Sequence, residues 1–176
     1  MSARFKPNTT VACVIYSQGK FLLVEELINN EVKFNQPAGH LEANESIIDA
    51  CIREVLEETG LAIIPQALVG IYQYSASADL AFVRYTFCVE LAEQQTARPL
   101  DSSIIRNHWL NVEEITSIES QLRSPLVLKS IGDFLQQAGL LNNESSVNSS
   151  DHIQSITPIE RQSAHYPLSI INADYL

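Results

Sequence analysis

Basic residues are scarce in this 176-residue chain: 11 Lys and Arg stand against 21 Asp and Glu, for a formal net charge of −10. A nucleic-acid polymer or an anionic membrane as a standing partner calls for the opposite balance, so neither is expected. A small phosphorylated metabolite remains compatible, because a bound cation inverts the local field. Cysteine is sparse too. Cys13, Cys51 and Cys88 are odd in number, have no close spacing and sit among apolar residues. This argues against a disulfide framework or a zinc site and for buried, reduced thiols. No apolar run is long enough to span a bilayer, and the N-terminal region lacks a hydrophobic stretch of signal-peptide length. A cytoplasmic monomer is the expectation. No internal repeat is visible.

What is present is a globular balance, with 45% hydrophobic and 18% charged residues, in a length that suits one domain with a single sizeable core. The most informative stretch is Gly39 to Leu61, GHLEANESIIDACIREVLEETGL. Glu54, Glu57 and Glu58 fall at positions i, i+3 and i+4, which share one face of a helix. Like charges so placed destabilise a helix by roughly 0.2–0.5 kcal/mol per pair. A divalent cation is the simplest reason to gather them, since Mg²⁺ and Mn²⁺ take carboxylate oxygens; a solvated acidic helix is the plainer alternative. Asn44 is placed to cap the helix, with Glu45 in its first turn. Gly60 falls where a left-handed residue would end it. Ile48, Ile52, Val55 and Thr59 recur at helical spacing for a core-facing stripe. Arg53, about two turns after Glu45, is placed to pair with it.

The rest of the chain reads as strands and two further helical segments. A hairpin is expected from Thr9–Tyr16 and Phe21–Val24, turning near Ser17–Lys20, followed by a short strand at Glu31–Phe34. Asn35 to Ala38 reads as a loop leading into Gly39. Ala62–Ile64 reads as a short strand stopped by Pro65. Ala67–Ser75 and Leu80–Leu91 read as paired strands across an Ala76–Asp79 turn, and Asn107–Leu110 as another strand. Val112–Ile118 and Gln121–Leu141 read as helices, with Pro125 near a first turn. Asn142–Gln154, rich in Asn and Ser, reads as a linker. His165–Leu176 is apolar enough to dock back as a strand, giving one domain with an insertion at about 142–162.

The Gly39–Leu61 stretch resembles the box of the Nudix hydrolases: Gly, five residues, Glu, seven residues, then Arg-Glu-apolar-x-Glu-Glu-x-Gly-apolar. Gly39, Glu45, Arg53, Glu54, Val55, Glu57, Glu58, Gly60 and Leu61 match it without departure. The resemblance implies an α/β/α sandwich around a mixed β-sheet. It also implies Mg²⁺-dependent hydrolysis of a diphosphate linked to another group. Further similarity to the NudJ-type group of that family lies in Phe5–Tyr16, Phe34–Ser46, Phe82–Phe87, Leu122–Val127 and Tyr166–Ile171. That group implies release of orthophosphate from nucleoside tri- and diphosphates, and action on hydroxymethylpyrimidine diphosphate and thiamine diphosphate. In LDSSIIRNHW the chain keeps Asp101 but has Ser103 and Ile105 near it, where related sequences tend to carry more carboxylates.

On this reading Glu57 and Glu58 are the principal metal ligands, joined by Glu54 and by the carbonyl of Gly39. Glu54 is the leading candidate to deprotonate or orient the attacking water. Arg53 orients a glutamate, and Glu45 and Gly60 are structural. Outside the box, Arg84 interrupts an apolar strand and either clamps phosphate or faces solvent. His40 either contacts substrate or packs. Lys33 and Arg123 are steering groups or plain surface charges, and Asp101 is a spare ligand or base. Trp109, Phe34 and Tyr74 are ring-stacking candidates or core aromatics. Two rival functions stay open: a sanitising pyrophosphohydrolase for oxidised nucleotides, and a non-catalytic Nudix module that binds a ligand.

Overall fold

In the computed structural model, residues 5–77, 80–140 and 166–167 are described. Ten-residue β1 (Asn8–Ser17) turns at Gln18–Gly19 into β2 (Lys20–Ile28), as the apolar runs and the intervening Gly predict. β3 (Glu31–Asn35) pairs antiparallel with β2. The expected loop before Gly39 is instead partly a strand: β4 (Ala38–His40) pairs antiparallel with β1, Val11 opposite Gly39. β5 (Ala67–Ser75) and β6 (Ala81–Glu90) are antiparallel partners, and β6 runs parallel to β1 along its length. β7 (Ile104–Leu110) pairs with β2. Tyr166–Pro167, called β8, pair with Leu68 and Ala67 at the edge of β5. The result is a mixed eight-stranded sheet, ordered β3-β2-β1-β6-β5-β8 with β4 and β7 joined to β1 and β2.

Strand alternation sorts the core into two layers. Val11, Cys13 and Ile15 of β1 face α1 (Ile47–Thr59), meeting Ala50, Cys51 and Val55. Val14 of β1, with Phe21 and Leu23 of β2, faces α3 (Leu126–Gln137), meeting Val127, Ile131 and Phe134. A helix thus covers each face of the sheet, and the expected sandwich is what forms. A shorter helix, α2 (Val112–Ser117), is closed by a reciprocal capping box between Asn111 and Glu114. All three thiols are free and buried. Among the described residues no helix is long and apolar enough to cross a membrane.

Three local expectations are corrected. Asn44 is not the cap of α1: it takes a left-handed φ of 67°, and Ser46 caps instead, its Oγ accepting from the Asp49 N–H. Glu45 therefore precedes the helix rather than lying in its first turn. Ala62–Ile64 forms no strand: Ile63 drops into the α1-side core and Ile64 is left exposed. The segment from Gln121 is not one helix: a single 3₁₀ turn (Glu119–Gln121) precedes Pro125, α3 starts after it, and the chain turns at Gly139 with φ 64°. The expected linker 142–154, the whole of the insertion at about 142–162 and all of His165–Leu176 except Tyr166–Pro167 lie outside the described residues.

Candidate active site

The site is built where β4 runs into α1. Val11 and Gly39 are partners across β1 and β4, so Gly39 shares the face of the sheet that α1 covers. Glu54 fills the space a side chain would need there. A Cβ on Gly39 would overlap the Glu54 carboxylate, so this glycine lets helix and strand close on each other. At the far end Gly60 ends α1 in the left-handed region, φ 71°, with its N–H returned to the Leu56 carbonyl. A Cβ there would meet the Arg98 carbonyl, so both box glycines are set by close approach.

Arg53 is the hub of the box. Its Nε and Nη2 donate to the two Glu45 oxygens at 3.0 and 2.7 Å, a bidentate clamp. Nη2 also donates to the His40 carbonyl at 3.0 Å. Nη1 reaches Glu54 at 2.6 Å and Glu57 at 3.2 Å. One guanidinium therefore ties the strand, the preceding loop and two helix carboxylates together. The clamp lowers the Glu45 carboxyl below the ordinary carboxylate range, and these partners raise the guanidinium in return. Glu45 also accepts from the Glu42 N–H.

The three box glutamates sit in different surroundings. Glu57 is half exposed. Glu54 is 12% exposed at its side chain, and burial raises its carboxyl despite the pull of Arg53. Glu58 is buried; its Oε2 accepts from the Ala38 N–H at 2.8 Å. Burial is the main cause pushing Glu58 up to about 8. The Ala38 N–H acts the other way, and the nearby charges of Glu54, Glu26 and Asp101 add to the rise.

Glu54 and Glu58 are all-oxygen acidic groups whose buried charges repel each other, a repulsion that a hard divalent cation relieves, so the donor set fits such an ion. Among the described residues no group of three His, Cys, Asp or Glu side chains already stands in a metal-holding arrangement; Arg53 engages Glu54 and Glu57.

On the other face of β1 and β4 lies a cavity of about 340 Å³. The register sets His40, Thr10, Arg84 and Tyr72 in one cross-strand row, and Arg84 lines the cavity rather than facing open solvent. It contacts Thr10 Oγ1 at 3.5 Å, and its Nη1 is buried without a partner. Burial, with Arg123 beside it, lowers Arg84 to about 10. His40 and Tyr74 also line the cavity, and Arg123 closes it while pairing with Glu26 at 2.6 Å.

Several candidates are not brought to this place. Trp109 lies elsewhere, donating its indole N–H to the Gln95 carbonyl. Phe34 packs edge-on to His108 in the α3-side core. Lys33 pairs with Glu31. Asp101 does not line the cavity but stays close to the box: its N–H donates to the Glu57 carbonyl, its charge acts on Glu58, and its carboxylate accepts from the Ser103 N–H. Glu26, Asn35 and Ser124 line the cavity and were not singled out by sequence reasoning. The usable signal was Glu26 itself, an acidic residue inside the apolar run FLLVEELI.

An α/β/α sandwich that sets a complete Nudix box at the edge of a polar cavity defines a hydrolase of phosphoric anhydrides. The match to the NUDIX domain extends over residues 6–129, and the chain belongs to the Nudix family. Within that family it is similar to Phosphatase NudJ. The protein of that name from Escherichia coli strain K12 is 47% identical over 127 residues, covering 72% of this chain and 82% of the relative. Phosphatase NudJ of Shigella flexneri gives the same values. A Nudix hydrolase from Nitrosomonas europaea superposes with a TM-score of 0.73 at 40% identity, covering 95% of this chain and 97% of that one. The Nudix domain of Shewanella oneidensis NrtR, solved with ADP-ribose, shares the fold alone: TM-score 0.62 and 16% identity, over 74% of this chain and 87% of that one.

Proposed function

We propose that the chain is a divalent-cation-dependent phosphohydrolase that releases orthophosphate from nucleoside tri- and diphosphates and from thiamine-related pyrimidine diphosphates. Mg²⁺ is the expected ion, with Mn²⁺ as a substitute. The observation that carries the reading is the pairing of two features across one strand. The carboxylates of α1 crowd one face of β4, and Arg84, its buried Nη1 without a partner, faces the cavity on the other.

A diphosphate resists attack because its charge repels a nucleophile; a bound divalent cation neutralises that charge and makes a water easier to deprotonate. Glu57 and Glu58 would hold the ion, with Glu54 and the Gly39 carbonyl beside them. Ala38 fixes Glu58 through one oxygen and leaves the other for the ion. Glu57, held by Arg53 through one long contact, is the carboxylate freest to move. Glu54 takes the proton of the attacking water: burial raises its basicity, and Arg53 aims it. Arg84 supplies charge to the substrate phosphate from the cavity side, and His40 contacts the substrate beside it. Glu45 and Gly60 hold the box in shape.

The test is a phosphate-release assay with Mg²⁺ on nucleoside di- and triphosphates, hydroxymethylpyrimidine diphosphate and thiamine diphosphate, with and without added pyrophosphatase. Orthophosphate without pyrophosphatase is the expected result. Signal that appears only after pyrophosphatase is added overturns it in favour of the sanitising enzyme. No signal in either condition overturns it in favour of the ligand-binding module.

A further inference from the structure

Seven buried side-chain polar atoms lack a hydrogen-bond partner among the described residues, and four of them belong to residues lining the one cavity: Glu26 Oε1, Asn35 Oδ1, Arg84 Nη1 and Ser124 Oγ. Buried polar groups are nearly always paired, so this concentration marks the seat of a polar ligand. The proposed function accounts for one member, Arg84, whose donor a phosphate oxygen satisfies. It leaves the acceptors of Glu26 and Asn35 unexplained. Phosphate offers them only further acceptors, and the Glu26 carboxylate repels it. The opposite end of the substrate must bring N–H donors.

The two acceptors stand close on the hairpin. Asn35 pairs with Val24 and Lys33 with Glu26, so Glu26 and Asn35 are diagonal neighbours on one face. The Oε2 of Glu26 pairs with Arg123 at 2.6 Å, which leaves Oε1 as the open acceptor. Tyr74, Leu80, Phe82 and Leu126 supply flat and apolar walls around them, as a ring needs. We infer that Glu26, with Asn35 beside it, is the specificity-determining acceptor of the cavity and selects heteroaromatic rings that carry an exocyclic amine. This rests on the reading of the cavity as the place where the substrate's non-phosphate end lies.

Cytosine and uracil test this, being alike in size: at C4 an amine is exchanged for a carbonyl and at N3 an acceptor for an N–H, so only cytosine offers the exocyclic donor. A carbonyl set against Glu26 leaves the acceptor unpaired and adds repulsion. Calorimetric titration of cytidine and uridine 5′-monophosphates into the intact protein with Mg²⁺ reads the preference. The wild-type protein is expected to bind the cytidine compound at least about tenfold more tightly. Glu26→Gln is expected to bring the ratio close to one. Arg123→Ala, which breaks the same ion pair but keeps the acceptor, is expected to preserve it. Equal binding in the wild type, or a ratio unchanged by Glu26→Gln, overturns the inference, as does the same loss in both variants. Phosphate release measured on the same preparation separates the two levels. Turnover with a flat ratio defeats the assignment of Glu26 alone, and absent turnover defeats the function it rests on.

Discussion

Gly39 is legible in the sequence as a box residue, but its reason is not: only the register of β4 against β1 sets its missing side chain against the Glu54 carboxylate. Gly39→Ala is expected to push Glu54 off its contact with Arg53. Overpacking of this kind costs about 1–3 kcal/mol, so chemical denaturation should show a loss in that range together with reduced turnover. Glu58 gives a second prediction at this scale. Its carboxyl lies near 4.5 when unfolded and is pushed up to about 8 by burial in the fold. Over that window the native state holds the extra proton, so stability must fall as pH rises from about 4.5 to about 8. Glu54 moves in the same direction. Glu45 moves oppositely, and its contribution is lost below pH 4.5, outside the window. In EDTA, thermal melts should therefore decline across pH 5 to 8. Glu58→Gln should flatten the decline, and adding Mg²⁺ at pH 8 should reverse it in the wild type by favouring the ionised form.

At the scale of elements, α1 was readable because three signals agreed on it: the apolar stripe, the acidic cluster and the terminal glycine. Its start was misplaced because Asn44, Glu45 and Ser46 are all plausible near an N-terminus, and only the backbone shows Ser46 extended and Asn44 left-handed. Ala62–Ile64 failed as a strand for another reason. β-branched residues next to Pro signal burial as well as pairing, and Ile63 is buried without pairing. What joins the elements at the site is Arg53. Its bonds to Glu45, the His40 carbonyl and two helix glutamates make it the brace between β4 and α1. Arg53→Ala is expected to cost about 1–3 kcal/mol, below the cost of breaking a fully buried pair because the group is partly exposed. It should also lower kcat more than it raises KM, because the substrate keeps its cavity while Glu54 loses its aim. Parallel denaturation and steady-state kinetics check both parts.

Across the whole molecule, the sandwich followed from the box and the alternation of strands, whereas the cavity did not. Its walls come from all six strands β1 to β6 and the approach to α3, so Glu26, Arg84 and Arg123 meet only once the sheet has formed. Their separation along the chain hid them. Strand position alone also left Trp109 and Tyr74 equivalent, until folding sent one to the Gln95 carbonyl and the other to the cavity wall. The net charge of −10 gains a local meaning as well: the acidic groups beside Gly39 are paired or crowded, and Arg84 and Arg123 put two positive groups beside Glu26 in the cavity.

On the proposed function, the carboxylates of α1 hold a cation without which no phosphate is released. Initial rates of phosphate release from cytidine diphosphate, taken against Mg²⁺ concentration for wild-type and Glu57→Gln proteins side by side, test it most directly. Glu57 is half exposed, so its conservative replacement should leave the melting temperature within a few degrees. Saturable Mg²⁺ dependence in the wild type is predicted, with a loss of roughly a hundredfold or more in the variant, the scale expected when preorganised charge stabilisation is removed. Full turnover by Glu57→Gln, or by the wild type in EDTA, would contradict the account.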